Sequence, residues 1–329
     1  MISHHWPEGP FIESTPPIKA SWEDSFLEWF SGLGIPMNEI KLKLGGLEYY
    51  HFSTLTKEHP LKKLISGFGS HQNRKVAALK CAAETLERIE MLEYFSKNLT
   101  IPAQLQTSNG WAVHGSKNQA QYKAFGEALE RHLLLKSFFL HGWDGFKLVQ
   151  KIETDTMTIF LNVGKYTYQG QVPILAAVKS KKFAGVSFGY GLGELDQINS
   201  SDFWTSAIFE ACDRVLISVV EMKAAPTDNW IREELHYFLN APFDFSVFKE
   251  NSDPLFFELE KTLVSAELVT LDLGEKNNLD FPLYATFASG GNLIPLFTKK
   301  NLEPKTLAHL VPILKAHQIF EIPERHPIL

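Results

Sequence analysis

The sequence has few cysteines, no surplus of positive charge and no long apolar run. Its 329 residues include only Cys81 and Cys212, which excludes a disulfide scaffold or a multi-cysteine zinc site and is typical of a reducing compartment. The formal net charge is −6, which argues against nucleic acid as a partner. The apolar run 133–135 stops at Lys136, far short of the ~20 residues of a membrane-spanning helix. We expect a cytoplasmic protein that acts without a membrane.

Hydrophobic periodicity predicts both strands and helices. Hairpins are predicted at Gly45-Gly46 and at Gly164-Lys165, the latter joining 158–163 to 166–169. Further strands are predicted at 172–178, 268–273 and 281–287, and helices at 22–30, 74–97, 118–140, 202–223, 229–239 and 306–317. Because these elements lack a regular β-α-β beat, we expect an α+β fold with mixed or antiparallel strands. Residues 1–35 are predicted to be an N-terminal extension and residues 36–329 a single domain.

Three of the predicted helices contain the same acidic motif, which reads small-x-x-Glu-x-x-acid-Arg. The copies are Cys81-Ala-Ala-Glu84-Thr-Leu-Glu87-Arg88, Ala124-Phe-Gly-Glu127-Ala-Leu-Glu130-Arg131 and Ala207-Ile-Phe-Glu210-Ala-Cys-Asp213-Arg214. A glycine-containing segment, interpreted as a turn, precedes each copy at residues 66–70, 108–110 and 189–193. On a helix, acids at i and i+3 and an arginine at i+4 lie on one side. Each helix is therefore predicted to present two carboxylates and a guanidinium group together.

This combination of groups predicts a site for a magnesium-bound nucleotide. Six converging acids are unfavourable without a cation, and Mg²⁺ prefers carboxylate and phosphate oxygens. Arginine forks suit phosphate oxygens. The P-loop pattern GxxxxGK[ST] is absent from the sequence. A single copy would be typical of a solvated helix face with ion pairs of about 0.3–0.5 kcal/mol each, whereas three copies favour a site.

These motifs, in this order and spacing over about residues 40 to 220, resemble the YcaO family. The segments that carry the resemblance are Ser66-Gly-Phe-Gly with Glu84 to Arg88, Thr107-Ser-Asn-Gly110 with Glu127 to Arg131, and Gly189-Tyr-Gly191 with Ala207-Ile-Phe-Glu210. The resemblance implies a YcaO-like fold whose helices carry Glu-x-x-Glu-Arg motifs. It also implies an ATP- and Mg²⁺-dependent enzyme that activates backbone amides of a ribosomally made precursor peptide. The implied product is an azoline formed by cyclodehydration at Cys, Ser or Thr.

The resemblance also assigns roles to residues of this chain. The implied Mg²⁺ ligands or their neighbours are Glu84, Glu87, Glu127, Glu130 and Glu210. The implied nucleotide-binding residues are Lys80, Glu84, Arg88, Ser108, Asn109, Glu127, Arg131 and Arg214. The carboxylate of Leu329 is expected near the reacting amide, on the strength of the His326-Pro327 ending.

Partners are implied as well. The chain is too short to include the leader-binding and adenylating-enzyme-like domains that often accompany this activity, so a separate protein is expected to deliver the peptide. A flavin dehydrogenase that oxidises azolines to thiazoles or oxazoles is a further candidate partner. A homodimer is compatible with the sequence.

Several positions depart from the family pattern. Lys80 stands where the family has Ser, Gln119 stands where it has an acid, and Gly115 or Ser116 stands in place of an Asn. Asp213 takes a Gln position and Arg214 comes one residue early. Two alternatives therefore stay open: a degenerate, non-catalytic scaffold or peptide-binding subunit, and an enzyme that forms thioamides.

Residues beside the motifs have simpler interpretations. Cys81 and Cys212 are interpreted as buried small residues rather than nucleophiles. Trp111 is interpreted as a core residue, with adenine stacking as the alternative. His132 is interpreted as a packing or hydrogen-bonded histidine, with proton transfer as the alternative.

Overall fold

The computed structural model describes most of the chain. The described residues are 21–44, 47–56, 65–98, 100–102, 105–181, 184–221, 237–249, 256–260, 263–297, 299, 302–326 and 328. The helices are α1 (Trp22–Gly32), α2 (Arg74–Lys97), α3 (Lys117–His141), α4 (Ser201–Glu221), α5 (Leu273–Lys276) and α6 (Pro304–Ala316). The strands are β1 (Met37–Leu44), β2 (Leu47–Thr56), β3 (Ile65–His71), β4 (Trp111–His114), β5 (Phe146–Glu153), β6 (Met157–Gly164), β7 (Tyr166–Thr167), β8 (Gln171–Ser180), β9 (Ser187–Glu194), β10 (Phe257–Glu258), β11 (Glu267–Asp272) and β12 (Tyr284–Ser289).

The chain divides into two compact units. The first comprises Met1–Ala128 and Ser265–Gly291, and the second comprises Leu129–Val264 and Asn292–Leu329, so the boundary falls inside α3. Helix α1 lies in the predicted N-terminal extension, and its Phe26 and Phe30 are fully buried in the core of the first unit. The single domain over residues 36–329 stays a prediction.

The first unit contains two antiparallel three-stranded sheets, β1-β2-β3 and β11-β12-β4. Helix α2 packs against β3. An apolar cluster joins α1 and α2 to the second of these sheets, and within it Trp111 stacks on Phe287 with ring centroids 4.8 Å apart. Trp111 is thus a core residue, as the first interpretation had it.

The second unit contains an antiparallel sheet in the order β5-β6-β8-β9, and α4 packs against β9 and β8. The turn predicted at Gly164-Lys165 is wrong, because the short strand β7 pairs in parallel with β10 and not with β6. The predicted strand at 172–178, into which the second arm of this hairpin was expected to continue, does pair antiparallel with β6, as part of β8. The tight turn lies instead at Gln169 and Gly170, whose φ values of 49° and 76° are in the left-handed region.

The glycines that were interpreted as turns before α2 and α4 lie inside β3 and β9. The physical reason is close packing against the helices. A Cβ atom on Gly67 would lie 2.2 Å from Thr85 Oγ1 and 2.8 Å from the Cys81 carbonyl oxygen. Only the segment 108–110 is a turn, in which Gly110 has a φ of 79°.

The remaining element predictions agree with the structure. The predicted helices at 22–30, 74–97, 118–140 and 306–317 match α1, α2, α3 and α6 within two residues at each end. Strands β1 and β2 pair as predicted, although Gly45 and Gly46 lie outside the described residues. The predicted helix at 202–223 matches α4 as far as residue 221, and residues 222–223 and 229–236 of the two remaining predicted helices lie outside the described residues. The α+β class with antiparallel strands is confirmed. Every helix among the described residues is too short or too polar to cross a lipid bilayer.

Candidate functional site

In the first unit, the leading acid of α2 is bound to the neighbouring strand. Glu84 Oε2 accepts a hydrogen bond from the backbone N–H of Phe68 in β3, at 2.7 Å, and Glu84 Oε1 pairs with Arg88. Arg88 Nη1 donates to the carbonyl oxygen of Ser66 at 2.6 Å. The Glu84 carboxylate and the Arg88 guanidinium group are therefore bound to each other, and hydrogen bonds with β3 fix the orientation of both.

The second unit repeats this arrangement on α4. Glu210 Oε2 accepts a hydrogen bond from the backbone N–H of Tyr190 in β9, at 2.6 Å, and Arg214 Nη2 donates to Glu210 Oε1 at 2.8 Å. Arg214 Nη1 also donates to the Tyr190 hydroxyl at 3.1 Å. The pairs on α2 and α4 thus match position by position, with Phe68 and Tyr190 as equivalent strand residues.

The packing beneath the two pairs is also repeated. A Cβ atom on Gly67 would lie 2.8 Å from the carbonyl oxygen of Cys81, and one on Gly189 would lie 2.0 Å from that of Ala207. Cys81 and Ala207 each precede the leading Glu of their helix by three residues. The small residues of the motif therefore let a strand approach the helix, whereas the sequence suggested that a ligand or another helix would do so.

The second acid of α2 has a different environment. Glu87 Oε1 accepts a hydrogen bond from the backbone N–H of Val113 in β4, at 2.9 Å. Burial raises the pKa of Glu87 to about 8, against the opposing effects of this hydrogen bond and the positive charges of Lys123 and Arg88. At neutral pH this carboxyl holds a proton, and a nearby divalent cation would favour its ionised form.

The second half of α3 faces α4 within the second unit. Arg131 Nη1 lies 3.3 Å from Glu130 Oε1, and Arg131 Nη2 lies 3.6 Å from Glu210 Oε1. Burial raises the pKa of Glu130 to about 7, with the charge of Glu210 adding to the effect. The structure therefore brings Glu130, Arg131, Glu210 and Arg214 into one cluster, as the motifs predicted for these four residues.

Tyr190 is a residue of this cluster that sequence reasoning missed. The guanidinium carbons of Arg131 and Arg214 lie 4.3 Å and 4.7 Å from the centroid of its ring. The sequence signal for Tyr190 is an aromatic residue between two glycines, Gly189-Tyr190-Gly191, in the segment that was interpreted as a turn.

The other predicted nucleotide-binding residues lie in the first unit. Lys80 is exposed on α2, one turn before Glu84, and Glu127 is partly buried on α3. In the turn before β4, the Ser108 carbonyl oxygen accepts from the Trp111 N–H at 3.3 Å. The neighbouring Asn109 Oδ1 is buried and has no hydrogen-bond partner among the described residues, so a ligand that donates a hydrogen bond would satisfy it.

The predicted catalytic carboxylate of Leu329 lies outside the described residues. Two described residues just before it, His326 and Ile328, are buried in the second unit. His326 Nε2 pairs with the Phe297 carbonyl oxygen, and the His326 ring lies 5.5 Å from the Phe139 ring of α3. Ile328 is fully buried.

The carboxylates suit a magnesium ion only if ligands from outside the protein complete its coordination. Within the part of the chain that the structure describes, no group of three or more His, Cys, Asp or Glu side chains could hold a metal ion. Both oxygens of Glu84 and of Glu210 already accept hydrogen bonds from an arginine and a strand N–H. Mg²⁺ is usually bound by one or two carboxylates together with substrate phosphates and water. The donors fit a magnesium ion that arrives with a nucleotide, not a closed site of protein ligands.

The cysteines and His132 are buried, as interpreted. Both thiols are free and buried, and burial raises the pKa of Cys81 and of Cys212 to about 12, so neither is a thiolate nucleophile at neutral pH. His132 is fully buried on α3, and its Nδ1 accepts a hydrogen bond from the Ile294 N–H at 3.0 Å.

Comparison with known proteins supports the fold. No protein-family model and no curated protein matches the sequence. Among solved structures, the chain is similar to YcaO from Methanopyrus kandleri bound with AMPPCP and Mg²⁺, with a TM-score of 0.51 and 11% identity over 89% of this chain and 99% of that one. The fold is therefore YcaO-like, which confirms at the level of the fold the resemblance seen in the motifs.

Two further similarities have lower TM-scores. A heterocyclase in complex with substrate and cofactor has a TM-score of 0.49 and 10% identity, covering 83% of this chain and 52% of its own. The E. coli microcin synthetase McbBCD complex with pro-MccB17 bound has a TM-score of 0.48 and 10% identity, covering 95% of this chain and 100% of that one.

Proposed function

We propose that this chain is an ATP- and Mg²⁺-dependent enzyme of the YcaO type. Its substrate would be a ribosomally made precursor peptide, and its products azolines at Cys, Ser or Thr. The observation that carries the proposal is the acid–arginine pair held by a strand N–H, which occurs on both α2 and α4. Such pairs present guanidinium forks in fixed orientations, which suits the oxygens of phosphate groups.

The proposed chemistry converts a poor leaving group into a good one. A Cys, Ser or Thr side chain attacks the preceding amide carbon while the amide oxygen receives the terminal phosphoryl group of ATP. The oxygen then leaves as phosphate, the ring C=N bond forms, and the protons of the attacking side chain and the amide nitrogen are released. Phosphoryl transfer of this kind depends mainly on positioning and charge neutralisation.

Different residues of this chain have different proposed roles in nucleotide and Mg²⁺ binding. In the second unit, Arg131 and Arg214 are the proposed phosphate contacts. In the first unit, Arg88 and Asn109 stay predicted nucleotide-binding residues, and the buried Asn109 oxygen is open to a donor of the ligand. The five motif glutamates stay the predicted Mg²⁺ ligands or neighbours of ligands, where the bound ion would neutralise phosphate charge. Glu84 and Glu210 additionally fix the orientation of Arg88 and Arg214.

Calorimetric titration with AMPPCP and Mg²⁺ tests nucleotide binding without a peptide. The wild-type chain should give heat of binding, and Arg214→Gln should weaken the affinity about tenfold, because one charge-assisted contact contributes about 1.5–3 kcal/mol. Glu93→Gln, which changes an acid on α2 outside the motif, should bind as the wild type does. No heat with the wild-type chain would overturn the proposal.

A non-catalytic scaffold or peptide-binding subunit is the second candidate. It is favoured by the internal hydrogen bonding of Glu84 and Glu210, whose oxygens are all occupied by protein donors. A scaffold would bind a precursor peptide or a partner protein without binding the nucleotide, so the same titration separates the two candidates.

The product, the partners and the cellular location belong to the proposal. A peptide-delivering partner protein, a flavin dehydrogenase and a homodimer stay predictions, as does the cytoplasmic location. Mass spectrometry of a treated precursor would separate azolines from thioamides, because loss of water lowers the mass whereas exchange of oxygen for sulfur raises it.

A further inference from the structure

Lys136 is a buried cation in the second unit, five residues after the motif residue Arg131. It lies on α3 and its exposed fraction is 5%. A buried ammonium group is strongly unfavourable unless an anion compensates its charge. Its contacts among the described residues are the His317 Nδ1 atom, 3.2 Å from Nζ, and the face of the Tyr166 ring, whose centroid lies 4.9 Å away. Neither group carries a negative charge.

His317 is neutral and its tautomer follows from its contacts. His317 Nε2 lies 2.6 Å from the carbonyl oxygen of Asn292, which can only accept, so Nε2 carries the proton. His317 Nδ1 therefore has the lone pair that accepts from Lys136. Burial lowers the pKa of His317 to about 4, so the ring adds no second charge at neutral pH.

His132 adds an unsatisfied donor to the same place. It lies one turn before Lys136 on α3, on the same side of the helix, and its ring centroid is 4.6 Å from that of His317. Because His132 Nδ1 accepts from the Ile294 N–H, its Nε2 carries the proton. That buried Nε2 has no hydrogen-bond partner among the described residues.

Lys136, His317 and His132 form what we call the Lys136 cluster. Among the described residues, none of the groups in contact with this cluster carries a negative charge. Tyr166 donates or accepts at its hydroxyl with His141 Nε2, 3.3 Å away, and its backbone N–H donates to Ser137 Oγ at 3.5 Å. Burial lowers the pKa of Lys136 to about 8, and no carboxylate among the described residues opposes that shift. The Lys136 cluster thus combines an ammonium group and an imidazole N–H, and the part of the chain that the structure describes offers them no anionic acceptor.

We infer that the Lys136 cluster is a binding site for a small oxyanion, either a phosphate or a carboxylate. The ammonium group of Lys136 and the Nε2–H of His132 supply two donors on one side of α3, which suits an anion with two oxygens. None of the residues proposed for nucleotide binding takes part. Phosphate and carboxylate share this chemistry, and the experiment distinguishes phosphate from a peptide-type carboxylate.

Thermal unfolding of the full chain tests the inference, at pH 7 in sodium chloride, sodium phosphate or sodium acetate of equal ionic strength. The variant is Lys136→Met, and the control is Lys117→Met, which removes an exposed lysine from the same helix. In chloride, Lys136→Met should unfold at a higher temperature than the wild type, because it removes an uncompensated buried charge. Phosphate or acetate should raise the Tm of the wild type and of Lys117→Met, but not that of Lys136→Met.

The more stabilising anion identifies the ligand class. Equal responses of the wild type and Lys136→Met to both anions would overturn the inference. So would a Lys136→Met variant less stable than the wild type in chloride, because the ammonium group would then have its counter-ion within the chain.

Calorimetry with inorganic phosphate distinguishes binding at the Lys136 cluster from binding at the proposed nucleotide-binding residues. Arg214→Gln should keep the heat of phosphate binding that Lys136→Met loses. The reverse result would place the phosphate at Arg214, which would overturn the inference while leaving the proposed nucleotide function intact.

Discussion

Tyr190 fixes the acid–arginine pair of α4 by three separate contacts. Its backbone N–H binds Glu210, its hydroxyl accepts from Arg214, and its ring lies beneath the guanidinium groups of Arg131 and Arg214. Only the first of these contacts is independent of the side chain, for any residue except proline. Tyr190 is therefore a positioning residue for two of the proposed phosphate-binding arginines.

Two substitutions of Tyr190 separate the ring from the hydroxyl. Tyr190→Phe keeps the ring and loses only the hydrogen bond from Arg214 to the hydroxyl, while Arg214 stays bound to Glu210. The affinity for AMPPCP should therefore fall by less than about fivefold, which corresponds to about 1 kcal/mol. Tyr190→Leu should weaken binding about tenfold or more, since each cation–π contact contributes about 0.5–1 kcal/mol. Calorimetric titration measures both, with circular dichroism to verify folding. Equal losses in the two variants would show that the ring has no such role.

Glu87 makes stability depend on pH. Burial raises its pKa to about 8 in the folded chain, against the usual value of 4.5 for a glutamate, so the folded state holds the proton more tightly. The associated stabilisation is complete below about pH 4.5 and is lost as the pH rises towards 8. In Glu87→Gln the amide oxygen still accepts from the Val113 N–H, and nothing ionises.

We therefore expect the Tm of Glu87→Gln, relative to the wild type, to rise between pH 5 and pH 8. Thermal unfolding in the presence of a chelator measures the difference, with Glu93→Gln as the control on the same helix. A constant difference across this pH range would show that Glu87 is ionised throughout it.

At the scale of elements, the glycines of β3 and β9 set the distance between strand and helix. A Cβ atom on Gly189 would lie 2.0 Å from the Ala207 carbonyl oxygen and 2.4 Å from the Ala211 nitrogen, both of which belong to the α4 backbone. Gly126, inside α3, has nothing within 4 Å of the corresponding position. Alanine substitution at Gly189 and at Gly126 therefore compares a crowded position with an open one.

Gly189→Ala should reduce the free energy of unfolding by about 2–3 kcal/mol or more, because two backbones must move apart. Gly126→Ala should increase it by up to about 1 kcal/mol, because alanine is the better helix former. Urea unfolding of both variants measures the two changes. If Gly189→Ala were as stable as the wild type, the close approach of β9 to α4 would be wrong.

The elements were more predictable than their pairing. Periodicity predicted the helices that carry the motifs because helical spacing is local, and α2 was predicted at its observed bounds. The partner of β7 is β10, which lies far along the chain, and local alternation holds no information about such a pairing. The glycines before α2 were misinterpreted for a related reason, since a glycine in a turn and one beneath a helix look alike in sequence.

At the scale of the whole molecule, the two units contain the same arrangement of a strand and a helix. In each unit, a glycine-containing edge strand of an antiparallel sheet packs against a helix, and the backbone N–H of the strand's aromatic residue donates to the leading Glu of that helix. The threefold motif pointed to the glutamates of this arrangement, because repetition selects particular glutamates from the many in the sequence. The motif did not predict that strand N–H groups donate to Glu84 and Glu210. Nearly every residue has a backbone N–H, so the sequence does not indicate which of them will donate to a particular side chain.

This occupancy leads to a prediction about magnesium. Because no closed group of metal ligands exists among the described residues, Mg²⁺ alone at millimolar concentration should leave the Tm unchanged. AMPPCP with Mg²⁺ should raise it, by an amount equivalent to about 2.7 kcal/mol at a hundred times the Kd. AMPPCP with a chelator should give a much smaller rise, because the phosphate charge would lack its cation. A stabilisation by Mg²⁺ alone that matched the one with nucleotide would show instead that the protein forms its metal site unaided.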